Sequence, residues 1–494
     1  MSGVAAAAID LGSSSGRVVV GTLDGEVLSL EEVHRFPHVA RRVGAGLVWD
    51  LDGLEEQVQV GVAKSLRERA VPVRSVAVDT WGVDYVLLAP GGARHGAGHA
   101  YRDPRTACIA DDFYARVGRD ERWIRTGVKP DDINTSNQLF ADLVEDPALP
   151  DKVERVLMLP DYFAYRLCGE TGWGRSISST TGLCEPGGAA WAQDLLVSGE
   201  IPDRWFGAVQ PDGTLRGSLR SDAYALRSGT EIHVLNAAGH DTACAVHALP
   251  KTSEASAAFI SSGSWSIVGL ETDHPVLSRS AYEAGLTNEA RADGGNRLLA
   301  NITGLWILQE CQREWSRHAG ASEISELVTL AAASESMGSV LDPGDDAFML
   351  PGDMPLKVAQ YCQARYGMVP ESRGQMVRVI LESLAVRYAR AVRQIEKIAD
   401  QRLDDVYLVG GGSRNGLLCQ MTASATGKNV IAGPAEASAI GNLLAQFEVG
   451  GTITSAGQRH EIVRRSFTPR TYAPGPLDPW TCMETLIPNT EAHR

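Results

Sequence analysis

The chain has 494 residues, with 46 Lys and Arg against 61 Asp and Glu and a formal net charge of −15. That balance argues against a nucleic-acid partner, because phosphate backbones reward clustered positive charge. Hydrophobic residues make up 44% and charged residues 22%, which excludes a disordered composition, and the length calls for roughly two to four structural units.

No apolar run approaches the roughly 18 residues that cross a bilayer. The N-terminal stretch up to Asp10 lacks the basic region of a secretory signal and reads as a first strand. The eight cysteines are scattered without a C-x-x-C pair or zinc spacing. A reduced cytoplasm is expected, with the thiols acting as small buried hydrophobes.

In chain order, Ala6–Gly21 reads as a strand, a turn (Gly12-Ser13-Ser14-Ser15-Gly16) and a second strand. Leu54, Val58, Val62 and Leu66 recur every four residues and predict a helix over 52–70, with Asp52 and Glu55 as a capping-box-like start. Val73–Val78 alternates at period two, and Val83–Leu88 reads as a strand before the Pro90-Gly91-Gly92 turn. Half a chain after the first hairpin, Ala257–Gly269 repeats its plan, with Gly263-Ser264 in the turn, and so suggests two related halves. From Gln375 to Asp400, Val377, Ile380, Leu384, Tyr388, Val392, Ile395 and Ile398 form a helical stripe. Val406–Val409 then runs as a strand into Gly410-Gly411-Gly412, ahead of a helical stretch over Gly416–Thr426. Strands alternating with helices indicate an α/β fold.

Gly/Ser hairpins can wrap phosphates, because glycine admits close backbone approach and successive N–H groups form an anion-binding concavity. They can equally be ordinary tight hairpins. The triple glycine can let a flat ring lie against bare backbone, or be a simple turn. No P-loop or G-x-G-x-x-G pattern is present. Gly12–Gly16 fits G-x-S-x-G, but the helix that a nucleophile elbow needs is replaced by the strand-like Arg17-Val18-Val19-Val20.

A set of blocks, in order, carries a resemblance: Asp10-Leu11-Gly12-Ser13-Ser14-Ser15-Gly16-Arg17, Asp79-Thr80-Trp81-Gly82-Val83-Asp84, Tyr101-Arg102-Asp103-Pro104-Arg105-Thr106, Pro160-Asp161-Tyr162-Phe163, Gly239-His240-Asp241-Thr242-Ala243, Ser261-Ser262-Gly263-Ser264-Trp265-Ser266, Gly410-Gly411-Gly412 and Gly433-Pro434-Ala435-Glu436-Ala437-Ser438. Together they resemble the rhamnulokinase branch of the FGGY carbohydrate kinases, within the actin-like ATPase superfamily. The resemblance implies two actin-like, ribonuclease H-like domains with an ATP and sugar cleft between them. Residues 1–247 would form the sugar-binding domain with the first phosphate hairpin, and 248–494 the nucleotide domain, its tail after about 467 packing back or flexible. The implied reaction is ATP-dependent phosphorylation of L-rhamnulose at its 1-hydroxyl, in L-rhamnose catabolism. L-Fuculose is the alternative ketose, and a non-catalytic sugar sensor a remote one.

By matched position, Asp241 would be the general base, with no strong pKa shift required. Gly82, His240, Thr242 and Asn301 would join Asp241 in contacting the sugar. Ser13, Ser14, Ser15, Gly16 and Arg17 would line the phosphates, with Ser264, Gln309 and Gly411 completing the ATP site. Ser264 stands where the family more often has Thr. Asp10 would help to hold Mg²⁺ through water, with no protein cage. His240 is open between a sugar donor and a structural residue, and Trp81 and Trp265 between cleft and core. His34, His38, His95 and His99 read as surface residues. Partners would be the ketose and ATP, with no nucleic acid or membrane, and the chain a monomer or weak homodimer.

Overall fold

The computed structural model describes residues 3–220, 224, 231–252, 256–319 and 323–487. Its first principal sheet uses β1 (Val4–Leu11), β2 (Ser15–Asp24), β3 (Val27–Pro37), β4 (Val73–Thr80), β5 (Thr214–Ser218) and β6 (His233–Asn236), in the order β5-β6-β4-β1-β2-β3. Its second uses β7 (Ala257–Ser262), β8 (Trp265–Thr272), β9 (Thr287–Ala290), β10 (Asn296–Thr303), β11 (Asp405–Val409), β12 (Asn429–Ala432) and β13 (Arg470–Tyr472), in the order β9-β10-β8-β7-β11-β12-β13. The antiparallel meander β1-β2-β3, flanked by parallel β4 and β6, matches β7-β8-β10 flanked by parallel β11 and β12. The echo between the two glycine hairpins is therefore a repeat of a whole strand order.

Strand β1 is apolar at nearly every position because both of its faces are covered. Ala5, Ala7, Ile9 and Leu11 pack with Leu54, Val58 and Val62 of α1 (Leu51–Ser65), while Ala6 and Ala8 face the other way. On that side lie α2 (Asp241–His247) and, near the chain's end, α5 (Ala437–Val449). Ile440, Leu443, Leu444 and Phe447 of α5 share one core with Ala6, Ala8 and Val19 of the first sheet and with Phe259, Leu299, Tyr407 and Val409 of the second. The two helices thus fill the layer between the sheets. The remaining face of the second sheet is covered by α3 (Arg373–Ala399) and α4 (Gly416–Thr426).

Several expectations shift. Helix α1 starts one residue earlier and stops at Ser65, and its cap is Asp50, whose carboxylate accepts from Gly53 N–H (3.2 Å), not Asp52. The strand expected at Val83 begins at Tyr85, because Val83 is left-handed (φ +66°). Cys184, Cys244, Cys311, Cys362 and Cys419 are buried, but Cys108 and Cys482 are exposed and Cys168 is half-buried; all eight are unpaired. Past Phe467 the chain adds β13 to the second sheet and a helix over Asp478–Glu484, while 488–494 of the tail lie outside the described residues. No helix of the described residues is long and apolar enough to cross a membrane.

Helices α2 and α5 cross at Gly441, where a Cβ would stand 1.8 Å from the carbonyl oxygen of Cys244. Beside the crossing, α5 presents polar groups to the first sheet. Asn442 Nδ2 donates to Asp79 Oδ2 (2.6 Å), Gln446 Nε2 donates to Ala7 O (3.0 Å), and Gln446 Oε1 accepts from Ser75 Oγ (2.7 Å). Because a backbone carbonyl cannot rotate away as a side chain can, Gly441→Ala should cost at least about 1–3 kcal/mol. Denaturant midpoints should show this loss while Gly450→Ala, whose nearest atom would be 3.5 Å away, stays near wild type.

Candidate active site

The cleft opens where the parallel strands of both sheets end, the usual place for ligands in open α/β sheets. Strand β1 delivers Asp10, and the turn after it brings Ser13 and Ser14 to the cleft wall. His38 closes this turn: its backbone N–H donates to Ser14 O (3.2 Å) and its Nε2 bonds Gly12 O (2.7 Å). Burial drives its pKa down to about 4, against the pull of the Gly12 bond, so the ring is neutral at physiological pH. It stacks on Trp81 with centroids 5.4 Å apart. His38 is therefore part of the site's frame, not a surface residue.

Arg17 lines the cleft, but its guanidinium is already engaged. Nε and NH2 donate to Asp10 Oδ2 (2.9 and 2.6 Å), and NH1 pairs with Glu436 from the other lobe. Ser15 and Gly16 lie outside the cleft lining. A Cβ on Gly16 would stand 2.3 Å from the Phe36 ring, so close packing explains that glycine.

From the second lobe come Ser264 in the β7–β8 turn, Asn301 on β10, and Gly411. Gln309 stands behind the lining and accepts from Ser264 Oγ (2.7 Å), fixing that hydroxyl. Within the triple glycine, Gly410 has φ +80° and Gly412 leaves no room for a Cβ beside Ser262 Oγ (2.1 Å), while Gly411 opens onto free space. That bare backbone is what a planar ring would require.

Asp241 is the first residue of α2, with His240 at the cap and Thr242 following, and all three line the cleft together with Gly82. Desolvation holds Asp241 above the ordinary carboxylate range and the Asp10 charge adds to the rise, while His240 opposes both. Asp79, beside Asp10 in the β1–β4 register, is fully buried. Burial pushes it well up, reinforced by Asp10 and Asp241 and opposed by Asn442 and Arg17. Its Oδ1 has no hydrogen-bond partner.

Magnesium prefers oxygen donors and keeps several waters. Arg17 donates to Asp10 through Oδ2 only, and Asp241 stands in the same cleft, so the carboxylate chemistry fits a water-mediated ion. Among the described residues no group of three or more His, Cys, Asp and Glu could hold a metal.

The wall beside Gly82 is built on Asp84, whose Oδ2 accepts from the indoles of Trp49 (2.6 Å) and Trp81 (2.8 Å). Val83, half-buried on the cleft, keeps its positive φ although it is β-branched, a costly conformation. It is held there by Thr180 Oγ1, which accepts its N–H (3.1 Å), and by Thr135 Oγ1, which donates to its carbonyl (2.7 Å). Trp81 and Trp265 both line the cleft. Trp265 Nε1 donates to Tyr101 OH (3.1 Å), and the Arg102 guanidinium lies 5.0 Å from the Trp265 ring and 4.9 Å from that of Trp306. This cation–π stack ties the two lips of the cleft together.

Asp79, Arg102 and Val83 sit in quoted blocks but received no role from the sequence. Glu289, which lines the cleft from β9 and meets His240 Nδ1 at 3.2 Å, lies outside all of them. The one signal for it was a polar run, Thr287-Asn288-Glu289, in a strand buried at every position.

Two lobes of one strand order with a polar cleft between them define an actin-like architecture. A model of the C-terminal domain of the FGGY family of carbohydrate kinases matches residues 258–448. A rhamnulokinase of Bacteroides thetaiotaomicron is 35% identical over 473 residues, covering 96% of both chains. Among solved structures, xylulose kinase of Rhodospirillum rubrum superposes with a TM-score of 0.76 at 15% identity, covering 97% of each chain. Glycerol kinase of Plasmodium falciparum with ADP gives 0.75 at 13%, covering 97% of this chain and 95% of that one. The chain belongs to the FGGY family of carbohydrate kinases, which implies ATP as co-substrate.

Asp84 provides a pH test of the wall. Burial pushes it up to about 6, although Trp81, Trp49 and Gln138 pull it down. An unfolded aspartate titrates near 4, so between about pH 4 and 6 the folded chain holds a proton that the unfolded one has released. This contribution to stability is full below about pH 4 and lost as pH rises through about 6. The stability difference between wild type and Asp84→Asn should therefore shift against wild type by up to about 3 kcal/mol across that window. Denaturation midpoints at pH 4 and pH 7 measure it, and a pH-independent difference would contradict it.

Proposed function

We propose that this kinase transfers the γ-phosphoryl group of ATP to the 1-hydroxyl of L-rhamnulose, giving L-rhamnulose 1-phosphate and ADP, with Asp241 as general base. The observation that carries the reading is Asp241 at the start of α2, facing a cleft lined from both glycine hairpins, in a chain 35% identical to a rhamnulokinase.

Ionised Asp241 accepts the hydroxyl proton as O1 bonds to the γ-phosphorus and the bond to the bridging oxygen of ADP breaks. His240, Thr242, Gly82 and Asn301 hold the ketose. Ser13, Ser14, Ser264 and the Gly411 backbone hold the nucleotide, while Gln309, Gly16 and Ser15 support that wall from behind. Asp10, through water, would hold Mg²⁺, which when bound neutralises phosphate charge. Arg17 keeps Asp10 oriented. We place the boundary between the sugar and nucleotide units near 247/248, since each principal sheet draws its strands from one side of it. Unpaired thiols suit a cytoplasmic protein, and we take it as a monomer or weak homodimer, which light scattering would test.

Asp241→Asn should lower kcat by at least about 10²-fold with nucleotide binding kept. Because the folded pKa of Asp241 is raised, the base is lost to protonation earlier on acidification. The acid limb of kcat/KM should accordingly lie above the roughly 4 of a free aspartate. An ADP-release assay across ketoses tests the substrate: L-rhamnulose should exceed L-fuculose in kcat/KM, and the reverse order would transfer the assignment to fuculose.

A further inference from the structure

Strand β9 is an edge strand of the second sheet, yet its residues bond to the first lobe. Thr287 Oγ1 accepts from Lys129 N–H (3.2 Å), Asn288 N–H donates to Gly127 O (2.8 Å), and Ala290 N–H donates to Ser179 Oγ (2.9 Å). Between them, Glu289 reaches His240. One carboxylate oxygen, Oε2, lies 3.2 Å from His240 Nδ1 and accepts from Arg297 NH2 (3.0 Å), and that NH2 lies 3.2 Å from the same Nδ1. Arg297 is fully buried, and its Nε also donates to Ala290 O (3.2 Å). Burial works to raise the Glu289 pKa, but His240 and Arg297 outweigh it and hold the group below its ordinary value. The other ring nitrogen, His240 Nε2, points to Asp241 Oδ1 at 3.5 Å.

We propose that Glu289 is a positioning residue for phosphoryl transfer. With its carboxylate and the Arg297 NH2 that it holds both 3.2 Å from Nδ1, Glu289 fixes the ring plane of His240 and leaves Nε2 facing the Asp241 carboxylate and the incoming ketose, since what meets one imidazole nitrogen sets the role of the other. His240 and Asp241 begin a helix after the first sheet, whereas Glu289 rides on the second, so the ring is set only while the lobes are held together. The inference rests on Asp241 as the base.

The alternative is a buried ion pair that merely stabilises, and three variants separate the two. Glu289→Gln keeps the shape but removes the charge. Glu289→Asp keeps the charge for Arg297 and withdraws it from His240, which guards against a variant that fails to fold. His240→Gln removes the group acted upon. Both Glu289 variants should lose roughly 10- to 100-fold in kcat, the scale of a small misplacement of a reacting group, with ADP affinity unchanged. Added to His240→Gln, Glu289→Gln should cost less than about two-fold more, because it acts through that ring. Wild-type kcat in Glu289→Asp, or losses that multiply in the double variant, would overturn the positioning role. Asp241→Asn run alongside distinguishes the failures: retained turnover there removes the base and this inference with it, while loss there but not in the Glu289 variants removes the positioning role alone.

Discussion

Asp10 and Asp241 line the cleft with the buried Asp79 beside Asp10, and the mutual repulsion of these three carboxylates is the constraint around which the neighbouring residues are arranged. Gathering negative charge in a desolvated place is unfavourable unless cations or donors face it. Each has such a partner: Arg17 for Asp10, Asn442 for Asp79, and His240 for Asp241. The partners come from different parts of the chain. Asn442 is delivered by the helix between the sheets, and Arg17 is itself anchored by Glu436 from the second lobe. The charge balance of the cleft therefore depends on both lobes being in place, which links chemistry at one strand end to packing some hundreds of residues away.

What could be read from the sequence was whatever is encoded locally. The two glycine hairpins, the stripe of α3 and the strand leading into the triple glycine are short-range patterns, and all appear where their periodicity put them. The two-lobed α/β architecture followed from their repetition and from the family resemblance. Of the residues singled out for the site, most line one cleft, with Gln309, Ser15 and Gly16 standing behind it. Local pattern failed where a distant contact decides the backbone or the burial. Val83 reads as strand by propensity but is bent by Thr180 and Thr135, and His38 reads as surface until Trp81 and Gly12 cover it. Glu289 carries no motif, because its role depends on a histidine from the other half of the chain.

The fold is shared with kinases of gluconate, xylulose and glycerol at 12–15% identity. In this chain the cleft wall beside Gly82 is heavily braced. Two indoles share one buried carboxylate, a β-branched residue is held in a left-handed conformation, and an arginine lies between tryptophans. Rigid walls discriminate by excluding what does not fit, since little of the wall can move to accommodate a substituent.

The crossing at Gly441 also limits how the lobes can travel. A carbonyl seated against a bare Cα brings two backbones into direct contact there, so any displacement of one helix against the other must be taken up by main chain and not by a side chain that could swing aside.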